Sequence, residues 1–284
     1  MLLSSYIFKR VTIVGVGFMG GSLGMAIKKN RLAREVIGLS HRQTALAQAV
    51  QMKAIDVPCL DVKKAIINAD LVILAAPVES IIKLCGTINP FLRRHCIVTD
   101  IGSAKANIVE SAERILTNPG LFIGSHPLTG SEKSGVENAV EDLFNGAACI
   151  ITPTARTSQV ARQKIKYFWT KLGMNVKVLS PEEHDEILAY VSHLPHLLAY
   201  GLISCIPPND LEYGARGLKD TCRIAASSPQ LWSDICIANS KNVLNALDKN
   251  VELLAHFRKA IVNHDHKELV HLFAKAQEMH KKIA

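Results

Sequence analysis

The chain has 284 residues, of which 48% are hydrophobic and 20% charged, with a formal net charge of +8. That length suits two domains better than one, and this balance excludes a chain that stays disordered for want of a core. With only 5% aromatic residues, and with basic residues spread along the chain, the positive charge argues against nucleic acid as a partner, since that needs a basic stripe and stacking surfaces. It suits attraction of small anions instead. No uninterrupted apolar run reaches the ~18 residues of a membrane span, the longest being Leu71 to Val78, so no membrane partner is expected. The start, MLLSSYIFKR, lacks the basic segment and cleavage site of a secretion signal. Seven cysteines are odd in number, scattered and without CxxC spacing, which reads as reduced core thiols of a cytoplasmic protein. No metal is expected, because His264 and His266 flank Asp265 without further ligands at metal spacing.

In chain order, Arg10 to Val14 reads as a first strand, followed by a glycine turn and a helix from about Met19 to Asn30. Further strands are expected at Val36 to Leu39, Ala69 to Ala75, Ile97 to Thr99, Leu121 to Gly124, Ala148 to Ile151 and Asn175 to Val178, with helical patterns between several of them. Strands alternating with helices predict an α/β fold with a mainly parallel, Rossmann-like sheet. At Ser180 the pattern changes. Ser180-Pro181-Glu182-Glu183 is a helix start, with serine as N-cap, proline at the first helical position and glutamate at the capping-box position. Only helical periodicity follows, broken near Pro207-Pro208 and Ser228-Pro229. The expected division is therefore a dinucleotide-binding domain over 1–179 and an all-helical domain over 180–284. Pro195 should bend its helix and move His193 and His196 out of simple register.

Gly15, Gly17 and Gly20 form GxGxxG between a strand and a helix. In that context the first glycine permits the tight turn, the second a close approach to a pyrophosphate, and the third close helix–sheet contact. The diphosphate then rests on the helix N-terminus, so Phe18 and Met19 inside the turn, and Ala76 and Pro77 after the third strand, are also cofactor candidates. An NAD enzyme usually carries an acidic residue at the end of the second strand. Here that end reads Ser40-His41-Arg42, where serine and arginine can hold a phosphate. NADP is the expected cofactor, with NAD as the alternative.

The loop GSHPLTGSEKSG, Gly124 to Gly135, places His126 at the carboxyl edge of a parallel strand, where ligands of such sheets bind. Histidine titrates near working pH, which suits it to proton transfer. Ser103, in Asp100-Ile101-Gly102-Ser103, leaves the preceding strand toward the same edge.

The runs VTIVGVGFMGGSLG, TDIGSAK, GSHPLTGSEKSG, SHLPHLLA and GLKDTCRIAASSPQLWSDI resemble those of the prephenate dehydrogenases of tyrosine synthesis, in matching order from about residue 10 to about residue 250. The resemblance implies oxidative decarboxylation of prephenate with hydride passing to the nicotinamide, and assigns roles by position. His126 would accept the proton of the ring hydroxyl, and Ser103 would bond that histidine or the hydroxyl. Arg223 would bind a carboxylate of the dicarboxylate substrate, and His193 would line the pocket from the helical domain. Lys219 and Asp220 would contribute to the pocket or its gate, with Ser131 and Glu132 on the loop side. It also implies a homodimer made by the helical domain. Arogenate, or either substrate, remains the alternative. More distant rivals are a β-hydroxy-acid dehydrogenase with Lys219 or Lys241 as its catalytic lysine, and a non-catalytic nucleotide sensor.

Overall fold

The computed structural model describes residues 6–130 and 133–282. The first half alternates strand and helix: β1 (Phe8–Val14), α1 (Phe18–Lys29), β2 (Ala33–Leu39), α2 (Gln43–Gln51), β3 (Val57–Cys59), α3 (Val62–Ile66), β4 (Leu71–Leu74), α4 (Val78–Ile88), β5 (Ile97–Asp100), α5 (Ala106–Ile115) and β6 (Phe122–Pro127). Then come β7 (Ala148–Thr152), α6 (Gln159–Lys171) and β8 (Asn175–Val178). Among the described residues the eight strands form one sheet in the order β3-β2-β1-β4-β5-β6-β7-β8. All neighbours pair in parallel except β6 and β7. β3 is the strand that the sequence pattern does not announce. It is three residues long with a central proline, tolerated because it lies at the sheet edge.

All four residues of β4 are buried, as expected of a strand covered on both faces. One face packs Ile13, Ile73 and Ile123 against Leu23 and Ile27 of α1 and Phe168 and Trp169 of α6. The other packs Val72, Leu74 and Val98 against Ile81 and Cys85 of α4 and Ile108 of α5. Trp169 is fully buried, and its indole N–H donates to Ser125 Oγ at 3.0 Å. Ser125 Oγ in turn lies 2.8 Å from Thr99 Oγ1. This polar seam inside the core fixes β6 one residue before His126.

The remaining chain is helical: α7 (Pro181–Leu188), a widened π-turn at Ala189–His193, α8 (Leu194–Ser204), α9 (Arg216–Cys222), α10 (Pro229–Ala238), α11 (Ser240–Val262) and α12 (His266–His280). The capping box forms at Ser180, whose Oγ accepts from the Glu183 N–H while its own N–H donates to Glu183 Oε2 at 2.8 Å. Pro195, expected to bend its helix, lies in a run that stays helical from Pro181 to Ser204. The π-turn precedes it and Pro195 falls in the first turn of α8, where extra backbone room accommodates the missing donor. His193 and His196 both meet the Trp232 ring, edge-on and stacked respectively.

The continuous run Pro181–Ser204 is long and apolar enough by composition to cross a membrane, which corrects the expectation that no such segment exists. Its buried His184, Asp185 and His193 nevertheless make hydrogen bonds within the protein, described below. Its Val191 and Leu202 are exposed, as are Leu231, Ile237 and Phe273 of the later helices.

Candidate active site

The glycine turn is built for close backbone contact. Gly15 has φ +100° and a Cβ there would strike Ala75 O at 2.2 Å, while a Cβ on Gly20 would lie 1.9 Å from Gly15 O. Gly17 differs, because a Cβ there would meet no protein atom within 4 Å. Its steric role is thus toward something outside the chain, which fits a dinucleotide pyrophosphate against the N-terminus of α1. That first turn carries no acidic residue, so the positive end of the helix is uncompensated. Phe18 is buried and Met19 packs against the core, so their side chains hold the turn and their backbones line it. Ala76 and Pro77 follow β4 on the same carboxyl edge. Ser40, His41 and Arg42 follow β2 there, with His41 and Arg42 exposed and the Arg42 N–H donating to Ser40 Oγ at 3.2 Å.

Between the sheet edge and the helices lies a cavity of about 920 Å³, to which Ser103, His126, His193, His196 and Arg223 all contribute. Lys133 lies on its loop side and Trp232 on its helical side, and neither stood out in the sequence as a site residue. Trp232 stacks on His196 with ring centroids 3.4 Å apart, making a flat apolar wall. Ser131 and Glu132 lie outside the described residues. Lys219 and Asp220 are not brought to the cavity. Both are exposed, and Asp220 accepts a hydrogen bond from Arg216 at 3.4 Å, one helical turn away in α9. Lys219 therefore does not reach His126 as the catalytic lysine of a β-hydroxy-acid dehydrogenase would.

His126 Nδ1 lies 2.9 Å from His184 Nε2, and His184 Nδ1 lies 2.8 Å from Asp185 Oδ1. Sequence reading expects Ser103 to bond this histidine or the hydroxyl and does not single out His184, the residue that meets Nδ1. The signal available was the His-Asp dipeptide directly after the capping box. Asp185 also accepts the N–H of Lys105 at 2.7 Å and of Ala106 at 2.9 Å, so it ties α7 to the start of α5. Beneath His126, the buried Lys105 ammonium pairs with the buried Asp100 carboxylate, which also accepts the Ser125 N–H at 3.2 Å.

Burial holds His126 well below the ordinary histidine value of 6.5, reinforced by the positive fields of His184, Lys105 and His193. Burial likewise lowers His184, against the opposing hydrogen bond to Asp185, and brings His193 to about 4. Burial pushes the Asp185 carboxyl up, but the hydrogen bonds from His184, Ala106 and Lys105 outweigh it and leave the group below the ordinary value. Each of these histidines is thus shifted toward its neutral form, beside a carboxyl shifted toward its ionised form.

Two family models match, the nucleotide-binding domain of prephenate dehydrogenase over residues 23–178 and its dimerization domain over residues 180–275. The chain belongs to the prephenate/arogenate dehydrogenase family of nicotinamide-dependent oxidoreductases. A prephenate dehydrogenase of Bacillus subtilis is 31% identical over 94% of this chain and 74% of its own length. A cyclohexadienyl dehydrogenase of Zymomonas mobilis is 31% identical over 96% of this chain and 95% of its own length. A crystal structure of the A. aeolicus prephenate dehydrogenase with hydroxyphenyl propionate and NAD+ superposes with a TM-score of 0.90 at 33% identity, over all of both chains. Among the described residues no group of three or more His, Cys, Asp or Glu could hold a metal.

Proposed function

We propose that this family member is a prephenate dehydrogenase, converting prephenate to 4-hydroxyphenylpyruvate and carbon dioxide, with NADP preferred. The observation that carries the reading is the neutral His126 facing a cavity that also presents Arg223 and Lys133. A base and two cations are what an alcohol bearing two carboxylates requires. The bound nicotinamide supplies the hydride acceptor, and the protein's own residues do the rest. His126 accepts the proton of the ring hydroxyl, a contribution of roughly 10²–10⁴-fold for a placed base. Ser103, on the same wall, bonds that hydroxyl. Arg223 and Lys133 hold the carboxylates, and the stacked Trp232–His196 wall packs against the apolar part of the substrate. Loss of carbon dioxide makes the ring aromatic, so the reaction runs one way.

NADP is favoured because the end of β2 offers Ser40 and Arg42 and no carboxylate. The NAD+ of the A. aeolicus complex is the reason to assay both. Arogenate, with an amine in place of the side-chain ketone, is the alternative substrate. A homodimer is the assembly we infer, because α12 has no buried residue and Val251, Leu254, Ile261 and Phe273 are exposed in this region. A second copy laid on this face removes that apolar area from water. We divide the chain at Ser180 into sheet and helical domains, and the seven free thiols support a reducing, cytoplasmic setting.

The test is absorbance at 340 nm with prephenate or arogenate and NADP or NAD, on the native protein and Arg42→Ala. Faster turnover with prephenate and NADP, with KM for NADP raised about tenfold in Arg42→Ala, equal to about 1.4 kcal/mol, is the expected result. Turnover confined to NAD would reject the cofactor assignment, and turnover confined to arogenate the substrate.

A further inference from the structure

We propose that Asp185 and Asn239, two buried residues of the helical domain, set the cavity histidines in opposite hydrogen-bonding senses: His126 is left with a bare Nε2 that accepts, and His193 with an Nε2–H that donates. His184 is the intermediary for His126. The proposal rests on the dehydrogenase reading for its catalytic consequence, and for the tautomers on hydrogen-bond geometry between rings that burial keeps toward the neutral form.

The chain of deduction starts at a group that can only accept. The Asp185 carboxylate takes the N–H groups of Lys105 and Ala106, so the His184 Nδ1 at 2.8 Å from its Oδ1 carries a proton. In a neutral ring the other nitrogen is then bare. The His126 Nδ1 lies 2.9 Å from that bare His184 Nε2, and two bare nitrogens do not bond, so His126 Nδ1–H donates. The second nitrogen of His126 is the lone pair left for the cavity.

The second deduction starts at a carbonyl. Asn239 Nδ2 donates to the Asp185 backbone O at 2.7 Å, while its Oδ1 accepts from Asn242 Nδ2 at 2.8 Å, so the amide cannot be turned over. The same Nδ2 lies 3.3 Å from His193 Nδ1 and therefore donates to it. His193 Nδ1 is bare, and its proton sits on Nε2. One residue thus serves both histidines, Asp185 through its carboxylate and through its backbone carbonyl.

The groups facing His126 are His184 and His193 from the helical domain and Lys105 from the loop after β5, the last neutralised by Asp100. When His126 takes the hydroxyl proton, its Nδ1–H bond to His184 persists. The negative charge of Asp185 lies one ring away and stabilises the new cation. No proton need leave His126 toward His184. The His193 Nε2–H meanwhile favours an oxygen on the substrate side chain over an ammonium, which can only donate.

The experiment is nitrogen-15 NMR of protein labelled at histidine, at pH 8 and without substrate. His126→Asn, His184→Phe and His193→Leu each remove one set of signals and so assign them. The expected native spectrum has protonated Nδ1 and bare Nε2 on His126 and His184, and the reverse on His193. A protonated Nε2 on His126 in the native protein overturns the proposal, whatever the variants do. In His184→Phe the partner of Nδ1 is gone, and kcat should fall by about 10²-fold or more, as for a base held in the wrong tautomer, with KM for the dinucleotide unchanged. His184→Gln, whose side-chain oxygen can accept from His126 Nδ1–H, should recover much of that loss. Equal losses in Phe and Gln would make His184 a packing residue and sink the relay. If the native enzyme turns over neither prephenate nor arogenate, the substrate reading fails while the tautomers are still read from the spectrum.

Discussion

The two sides of the cavity are built differently. On the sheet side Asp100, Lys105 and Ser125 are wholly buried and hydrogen-bonded beside His126, and the equally buried His184 reaches its ring from α7. On the helical side Arg223 sits in a stretch made of α9 and two short 3-10 turns, Pro208–Tyr213 and Arg223–Ala226, none of which has a buried residue. Under the roles proposed above, chemistry falls where packing over-determines geometry, and charge recognition where the backbone is least constrained. A base misplaced by an ångström loses its function, whereas a long arginine can follow a carboxylate. Segments with little buried area also open most readily.

That contrast can be broken from either wall. The largest effect expected is His126→Asn, which keeps the shape and removes the base; kcat should fall by roughly 10²–10⁴-fold with the melting temperature little changed. A loss under tenfold would place the base elsewhere. Next is Lys105→Ala, which strands the Asp100 carboxylate in the core. Breaking such a buried pair costs about 3–5 kcal/mol, read as a lower denaturant midpoint. An unaltered midpoint would show that the sheet-side wall is not the rigid one. Arg223→Ala should leave the midpoint unchanged, because the residue is exposed, and should lower kcat/KM for prephenate by roughly 10- to 150-fold, the ~1.5–3 kcal/mol of a charged hydrogen bond.

The smallest effect is with pH. His193 has a folded value of about 4 against an ordinary 6.5, so between those values the unfolded chain binds the more protons and stability rises with pH. Melting temperature should therefore fall as pH is lowered from 6.5 toward 4, and His193→Leu should flatten part of that slope. The acidic limb of kcat/KM should likewise lie below 6.5, because His126 is shifted in the same direction. A limb above 6.5 would contradict its burial.

Much of this was legible in the chain itself. The strands are short apolar runs, and β4, observed at Leu71–Leu74, lies inside the run Ala69 to Ala75 read as a strand, because a strand buried on both faces has no polar alternation to hide it. The glycine turn and the Ser180 capping box are local, set by steric demands and by side-chain bonds three residues long. His126 and Arg223 were picked out by motifs that the cavity does bring together. β3 escaped notice because three residues with a central proline carry no periodicity.

The chain of hydrogen bonds behind His126 lies beyond sequence reading for a different reason. His126, His184 and Asn239 are separated by more than fifty residues each, and no local pattern tells which nitrogen of an imidazole holds its proton. Likewise Lys219 and Asp220 sit beside Arg223 in the chain, but the end of α9 turns them to solvent. The sequence by itself determined most of the elements and the cofactor turn, because those depend on neighbours along the chain. The tertiary structure alone decided which groups face one another across the domain boundary. There, burial and a single carboxylate settle charge and tautomer together.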